Sequence, residues 1–487
     1  MSAFGSIGLV EETARETVKR FSERHRRVIG LLVAFLLSAL TAAGVAASAR
    51  AQTPNDGLPI PDSPQHDLTA IDRLFRPPPP PPLSLFPRMR EEMKDASAVL
   101  RDSTWSINPR SYYRDQATNA PRGTTINEAW AGGGSIAFET GRLFDIFSFG
   151  TVVYATFPLY APLDYGNTGL LQPNQGGFAV AGQLYARATI FENTNITAGR
   201  YLYDTPFLGP QDNRMIPNTF YGYTLVGTVG EAEHGPVLRY GGGYIARMKP
   251  RDSATFLSMS RQAGANVDNG VGVAGGRLTW GPASIGAIEY YAQDTLNIAY
   301  AEGKYGANLP WDIYAMLAVQ YADQRTVGAS LTNGGTPYQT NQFGSRLEFG
   351  GLRTGILTLG FSTVNPAFAM MNPWSSNPIY TDAQIQSFQR AGESAVMVGL
   401  SYVMTPIGLP GVAASVFHYN GWTTAAAAGG PLNESEWDFK LEWRPKWKPL
   451  PGLWIRAQYG SSATDQNNRH TTVDEVRLVL NYTLNIY

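Results

Sequence analysis

The sequence contains no cysteine, which excludes disulfide bonds, thiol catalysis and zinc sites built on cysteine. Its five histidines are scattered, and no two have the i, i+4 spacing of a helical metal site. Charged residues make up only 16% of the chain, whereas ordinary soluble domains have roughly 25%. The formal net charge of -1 shows none of the basic excess that is typical of nucleic-acid binding. We therefore predict no metal, no cofactor and no nucleic-acid partner.

Catalytic signatures are also missing. The sequence has no G-x-S-x-G, no H-E-x-x-H and no P-loop, and no combination of Ser, His and an acid stands out. A mean hydropathy of -0.19 excludes a bundle of membrane helices. After residue 51, no apolar run reaches the length of a membrane helix. We predict that the protein is not an enzyme and has no catalytic residues.

The N-terminus carries an export signal. Basic residues at positions 24–27 precede an apolar run from Val28 to Ala47, and Ala49 and Ala51 form a cleavage site of the A-x-A kind. We predict a signal peptide over residues 1–51 that is removed on export. A retained signal anchor is the alternative, because about 20 apolar residues are long enough to span a bilayer.

Residues 52–101 are polar and rich in proline, with six consecutive prolines from Pro77 to Pro82. Such a run forms a stiff polyproline II rod and cannot join a sheet. We predict a periplasmic extension that acts as a spacer. Recognition of the proline run as a peptide ligand is the alternative.

Residues 102–487 alternate apolar with polar or small residues in about eighteen segments of roughly ten residues, separated by Gly, Pro, Asn and Asp. This is the two-residue period of strands with one apolar face. The segments begin near Ser103, Ile126, Ser148, Phe178, Asn195, Thr219, Val237, Val271, Ile285, Leu296, Ile313, Phe343, Ile356, Val396, Val412, Glu434, Leu453 and Asp474.

The connections between these segments alternate in length. Short ones, such as 191–194 and 281–284, alternate with long ones, such as 159–177 and 365–393. An even number of short strands with this alternation is typical of an antiparallel β-barrel in the bacterial outer membrane. A bilayer tolerates a sheet only if the sheet closes, so we predict that the last strand pairs with the first. The predicted fold is all-β, the location is the outer membrane, and the outer face contacts lipid.

The two faces of the predicted strands differ in charge. Trp437, Phe439 and Leu441 share one face, while Asp438 and its even-numbered neighbours share the other. In a barrel, the apolar face meets lipid and the charged face lines a wet lumen. By this parity the inward basic residues are Arg187, Arg239, Arg247, Lys249, Arg277, Arg346, Lys440, Arg444, Arg456 and Arg477, and closure of the barrel brings Arg110 or its neighbours beside Arg477.

We predict that these basic residues cluster on one arc of the wall and guide anions. The alternative is that the lumen charges only hydrate the pore and balance Asp438, Glu442 and Glu348.

One stretch points to a family. Residues 198–225, AGRYLYDTPFLGPQDNRMIPNTFYGYTL, resemble the strand, inward loop and strand of the OprD-type substrate-specific porins, whose pattern is a Pro followed by D-x-R-x-x-P-x-T-F-x-G. The matching positions are Pro206, Asp212, Arg214, Pro217, Thr219, Phe220 and Gly222. The first and last predicted strands also resemble those of the family, and the likeness spans about residues 96–487.

The resemblance implies an 18-stranded monomeric channel for small water-soluble molecules, often carboxylates such as amino acids or aromatic acids. It implies that residues 204–218 fold into the lumen as the third loop and narrow the pore. It also implies a ladder of basic side chains along the pore, to which Arg110, Lys440, Arg444, Arg456 and Arg477 are the nearest matches. Arg239, Arg247 and Arg346 join this set of predicted substrate-binding residues through their parity.

Three other functions stay open at this point. A general diffusion porin would show no preference beyond size and would usually be a trimer. A barrel enzyme belongs to a different class, and the missing motifs count against it. A structural barrel that anchors the proline-rich segment to the cell wall is the last alternative.

Overall fold

The computed structural model describes residues 83–486, except for residue 192 and the segments 232–234, 352–353, 425–429 and 446–451. The predicted signal peptide, the proline run and Tyr487 lie outside the described residues. The predictions about them therefore stay predictions.

Eighteen long strands form the described part of the chain. Each pairs in antiparallel fashion with the next strand in the sequence. They are β1 (Thr104–Ala120), β2 (Gly123–Glu139), β3 (Phe147–Tyr160), β4 (Phe178–Ile190), β5 (Thr194–Tyr201), β6 (Thr219–Val229), β7 (Val237–Lys249), β8 (Val271–Trp280), β9 (Ala283–Ala292), β10 (Leu296–Leu309), β11 (Ile313–Arg325), β12 (Gln339–Gly350), β13 (Gly355–Val364), β14 (Glu393–Val403), β15 (Val412–Thr423), β16 (Leu432–Trp443), β17 (Leu453–Gln466) and β18 (Arg469–Tyr482).

The last strand closes the sheet. β18 pairs with β1, so that Arg477 lies opposite Arg114 and Asn481 lies opposite Arg110. The predicted closed antiparallel barrel is confirmed, and so is the number of strands. The largest error in a predicted start is in β18, which begins at Arg469, five residues before Asp474.

The connections differ in length between the two ends of the barrel. The β17–β18 turn at the long-loop end consists of Asn467 and Asn468, both with positive φ (51° and 60°), as a tight hairpin turn requires. The long connections at the same end are loop 2 (161–177), loop 3 (202–218), loop 4 (250–270), loop 6 (326–338) and loop 7 (365–392). The first long strand begins and the last long strand ends at the short-turn end.

The remaining elements are short. The helices are α1 (Met89–Glu92), α2 (Ala98–Arg101) and α3 (Met259–Gln262), and single 3-10 turns occur at Leu163–Tyr165, Leu331–Asn333 and Thr405–Ile407. Two-residue strands lie at Leu83–Ser84, Leu257–Ser258 and Leu484–Asn485. Across the described ranges, none of the helices is long and apolar enough to cross a membrane.

The outer face of the barrel carries large apolar side chains. Trp437, Phe439 and Leu441 are 47%, 46% and 48% exposed, while Glu436 and Glu442 on the same strand are fully buried. An apolar face of this extent is stable against hydrocarbon and not against water. The predicted parity of β16 is therefore confirmed.

The first described residues pack against the last described residues. Leu83–Ser84 pairs in parallel with Leu484–Asn485, and the amide of Phe86 donates to the carbonyl of Ile486 at 2.7 Å. On its other side, the amide of Ile486 donates to the carbonyl of Trp105 at 3.0 Å. The last described residues of the chain thus lie between two segments. The final part of the proline-rich extension belongs to the sheet, which a plain spacer would not.

Much of the lumen is filled by apolar packing. Phe207 of loop 3, Met259 of loop 4 and Trp374 of loop 7 are fully buried in one cluster that also includes wall residues such as Tyr290 and Tyr300. The rings of Phe207 and Tyr290 meet edge to face with centroids 6.1 Å apart. This packing lies against β5 to β13, whereas Lys440, Arg456 and Arg477 lie on the lumen face of β16 to β18.

Closure of the barrel makes a testable prediction. Because every long strand is paired on both sides, the sheet has no free edge at which unfolding can begin. We expect the detergent-solubilised protein to migrate faster in gel electrophoresis before boiling than after it. A single mobility under both conditions, together with protease sensitivity, would contradict a stable closed barrel.

Candidate functional site

Basic side chains lie in register across one wall of the lumen. Lys440 of β16, Gln458 of β17, Arg477 of β18 and Arg114 of β1 form one continuous row of paired residues. The next row towards the short-turn end contains Arg456 opposite Glu442. We define the basic wall as Lys440, Arg444, Arg456, Arg477, Arg110 and Arg114.

Carboxylates on the same wall orient these cations. Glu442 forms ion pairs with Arg444 at 2.6 Å and with Arg456 at 2.8 Å. Glu475 forms ion pairs with Arg114 at 2.6 Å and with Arg477. Each carboxylate thus serves two guanidinium groups, which holds the arginines in place and leaves the wall positive.

Loop 3 lies against the basic wall inside the barrel. Arg110 forms a two-point ion pair with Asp212, with one of its contacts at 2.9 Å, and donates to the carbonyl of Arg214 at 2.6 Å. The hydroxyl of Tyr112 donates to the carbonyl of Asn213 at 2.9 Å. These contacts join residues about a hundred positions apart in sequence, and they place the predicted loop in the lumen.

The other half of loop 3 reaches the far wall. Pro206 and Phe207 are buried, and the amide of Phe207 donates to the hydroxyl of Tyr290 on β9 at 3.2 Å. The carbonyl of Pro217 accepts a hydrogen bond from the ammonium of Lys249 at 3.0 Å. Loop 3 is therefore held on both sides of the lumen and crosses it.

Two loop arginines join two wall arginines. Arg214 and Arg114 both donate to the carbonyl of Thr168 in loop 2, at 3.2 and 3.1 Å. Arg251 of loop 4 donates to the side-chain oxygens of Gln211 and Asn213. We define the guanidinium cluster as Arg114, Arg214, Arg251 and Arg477.

The electrostatics of the loop residues reflect this crowding of positive charge. Burial lowers the pKa of Arg214, and the neighbouring charges of Arg477, Arg114 and Arg251 lower it further. Burial also lowers the pKa of Arg251, and Arg114 and Arg477 act in the same direction. Arginine stays protonated in proteins, so the cluster is a region of positive potential in the lumen.

Loop 7 meets loop 3 at this cluster. The guanidinium of Arg477 donates to the carbonyl of Gln384 at 2.8 Å. Arg477 therefore lies between the tip of loop 7 and Arg214 of loop 3. The meeting point of the two loops on the basic wall is the candidate constriction of the pore.

The inward prediction for Arg247 is wrong. A β-bulge interrupts the pairing of β6 with β7, so that Tyr221 lies opposite Arg247 while the adjacent Gly222 lies opposite Ile245. The extra residue in the bulge moves Arg247 to the face opposite to the predicted one. Arg247 is exposed and shares a face with Tyr221, which is 48% exposed on the outside of the barrel.

The other predicted basic residues do not share one arc, which corrects that part of the prediction. Arg239 and Arg277 pair across β7 and β8, on the side of the barrel away from β16 to β18. Arg346 of β12 is buried, pairs with Glu348 at 3.3 Å, and lies over the ring of Tyr380 in loop 7 at 4.8 Å. Arg187 on β4 contacts Glu139 and Tyr201. These residues support other parts of the lumen.

The sequence reasoning missed three residues of the candidate constriction. Arg114 shares the parity of Arg110 in β1, so the alternation contained a signal for it. Arg251 and Gln384 lie in long loops without a periodic pattern, so their positions had no signal. Within the described ranges, no group of three or more acidic or histidine side chains is placed to hold a metal ion.

A comparison with protein families shows to which family the chain belongs. Residues 97–486 match the profile of the outer membrane porin, OprD family, over most of the sequence. The chain belongs to the OprD family of porins. It is a channel of the bacterial outer membrane through which small molecules pass, and the enzyme alternative is set aside because members of the family are porins. The predicted family and location are confirmed.

Solved structures of similar fold support this porin's architecture. OpdK of Pseudomonas aeruginosa, crystallised with vanillate, is 20% identical with a TM-score of 0.68, and the match covers 80% of this chain and 100% of that one. OccK9 (OpdG) of Pseudomonas aeruginosa is 22% identical with a TM-score of 0.70 and the same coverage. OccAB1 of Acinetobacter baumannii is 15% identical with a TM-score of 0.69, covering 81% and 100%. No curated protein sequence gives a significant match.

Proposed function

We propose that this porin passes small carboxylates selectively and passively along the basic wall. The observation that carries the proposal is the convergence of Arg114, Arg214 and Arg477 where loops 3 and 7 meet. Arg110, Arg456, Arg444 and Lys440 extend the positive path away from this point. All parts of the path come from one chain, so the proposal needs no second copy.

The physical basis is the replacement of hydration. A carboxylate that enters a narrow pore loses water, and a guanidinium group replaces that water with paired charge-assisted hydrogen bonds. Glu442 and Glu475 each hold two of the wall arginines, which weakens the grip of any one arginine on a passing anion. Conduction requires sites that bind an anion and release it again.

A structural relative supports the class of solute. The crystal structure of OpdK contains vanillate, which is an aromatic carboxylate. The likeness between OpdK and this chain, at 20% identity, establishes that the two share a fold. The arginines of the basic wall are the reason to propose carboxylates as the solutes of this chain as well.

The proposal is tested with two solutes that differ mainly in one carboxylate. We expect the purified porin in lipid bilayers to pass galacturonate a few-fold faster than galactose and to favour anions in salt-gradient reversal potentials. Boiled protein serves as the inactive control. Rates ordered by size alone, without anion preference, would make it a general diffusion porin.

A further inference from the structure

The tip of loop 7 is held by carboxylates of the barrel wall. Glu436 accepts hydrogen bonds from the backbone amides of Ile385 and Gln386, both at 2.7 Å. Asp438 accepts from the backbone amide of Gln384 at 2.9 Å. Three successive amides thus donate to two neighbouring carboxyl groups of one strand. We call these five residues the loop 7 latch.

The latch holds Gln384 over the basic wall. The Gln384 carbonyl accepts from Arg477 at 2.8 Å, and its side chain accepts from Gln458 at 3.3 Å. The same side chain donates to the carbonyl of Glu475 at 3.4 Å. Gln384 therefore covers the central row of the wall, where Arg477 and Gln458 are paired.

A glycine on the barrel wall leaves room for the tip of loop 7. Gly460 lies on the lumen face of β17, and a Cβ atom there would be 3.0 Å from Asp438 and 3.1 Å from the Gln384 side chain. A larger residue at this position would push against the latch. Further along loop 7, Arg390 pairs with Glu434, and the ring of Phe388 stacks on Tyr419 at 5.8 Å. The body of loop 7 therefore stays attached when the tip moves.

We propose that Gln384 is a specificity-determining residue and that the loop 7 latch sets how firmly it closes the pore. An anion that moves along the wall takes the place of the Gln384 carbonyl as the hydrogen-bond acceptor of Arg477. A neutral solute cannot replace the carbonyl in this way, so the tip of loop 7 slows its passage. The statement about anions rests on the proposed passage of carboxylates, whereas the statement about closure does not.

The test weakens the latch in the full-length porin. The double variant Glu436→Gln, Asp438→Asn replaces the two carboxyl groups with amides of the same size, and each amide has a donor nitrogen in place of one acceptor oxygen. We expect more open-channel current noise in KCl and about a twofold higher flux of galactose, because the tip leaves the wall more often. The preference for galacturonate over galactose is expected to fall in a variant that displaces the tip without changing the charge of the wall, such as Gly460→Val.

Two further variants separate the latch from general effects of charge. Asp465→Asn removes one carboxylate that pairs with His470 at the rim, and we expect wild-type noise from it. Gly460→Val adds bulk under the tip without changing charge, and we expect more noise. Assembly of each variant is checked by gel mobility before and after boiling.

The outcomes are distinct. Wild-type noise and galactose flux in both the double variant and Gly460→Val would overturn the latch. A wild-type porin that passes galacturonate and galactose equally would overturn the proposed function, and the noise measurement would still decide the latch.

Discussion

Replacing Arg456 and Arg477 together with glutamine is expected to lower carboxylate flux several-fold and to shift the ion preference of the porin towards cations. The two arginines lie on adjacent strands of the basic wall, and each is bound to a buried carboxylate. Their removal eliminates two positive charges, and Glu442 and Glu475 each lose one of their two arginine partners. The local potential therefore becomes less positive by two charges, while Glu442 and Glu475 keep theirs.

The size of this effect follows from the distances and the medium. Unit charges about 4 Å apart interact by roughly 4 kcal/mol at an effective dielectric of 20, and a water-filled pore screens this interaction. A preference of a few-fold for a carboxylate over a neutral solute is therefore expected in the wild type, and most of it should vanish in the double variant. Flux of galactose should stay nearly unchanged.

A matched control keeps the net charge constant. The variant Glu475→Gln, Arg477→Gln removes one negative and one positive charge, so the wall keeps its overall charge and should retain more of its anion preference. Gel mobility before boiling checks assembly, because an uncompensated buried carboxylate destabilises a fold by about 3–5 kcal/mol. Equal losses for galacturonate and galactose in a folded double variant would contradict guidance by the basic wall.

Shortening loop 3 should produce the largest change in conductance. We expect that replacing residues 205–216 with two glycines raises single-channel conductance severalfold and weakens discrimination between solutes. Both halves of the loop cross the lumen, since Phe207 packs on the far wall and Asp212 binds Arg110. The barrel should still assemble, because β5 and β6 pair along their length with neighbouring strands.

A point variant provides the comparison for this deletion. Asp212→Asn breaks the ion pair with Arg110 and leaves the apolar anchor at Phe207 in place, so we expect a small rise in conductance. Unchanged conductance after the deletion, in protein that passes the gel-mobility check, would mean that loop 7 alone narrows the pore.

Much of the architecture was predictable because strand formation leaves a local pattern. A residue's place in an alternating segment determines its face, and this rule correctly placed Asp438, Lys440, Arg456 and Arg477 in the lumen. The resemblance to the OprD family added loop 3, whose motif residues Asp212, Arg214 and Pro217 all make contacts that hold the loop inside the barrel. The same rule failed at Arg247, because one extra residue in a bulge reverses the alternation and leaves no mark in composition.

The candidate constriction depends on contacts between distant parts of the chain. Arg110 meets Asp212 across 102 positions, and Arg477 meets Gln384 across 93. Alternation determines which face a side chain occupies, but it carries no information on which loop folds over that face. The pairing of strands around the closed barrel brings Arg114 beside Arg477, and the packing of loops 3 and 7 in the lumen brings Arg214 and Gln384 to them. Sequence periodicity thus determined the strands and the lumen face, whereas tertiary packing decided which loop residues meet the basic wall, because these contacts join residues that are far apart in sequence and have no local pattern.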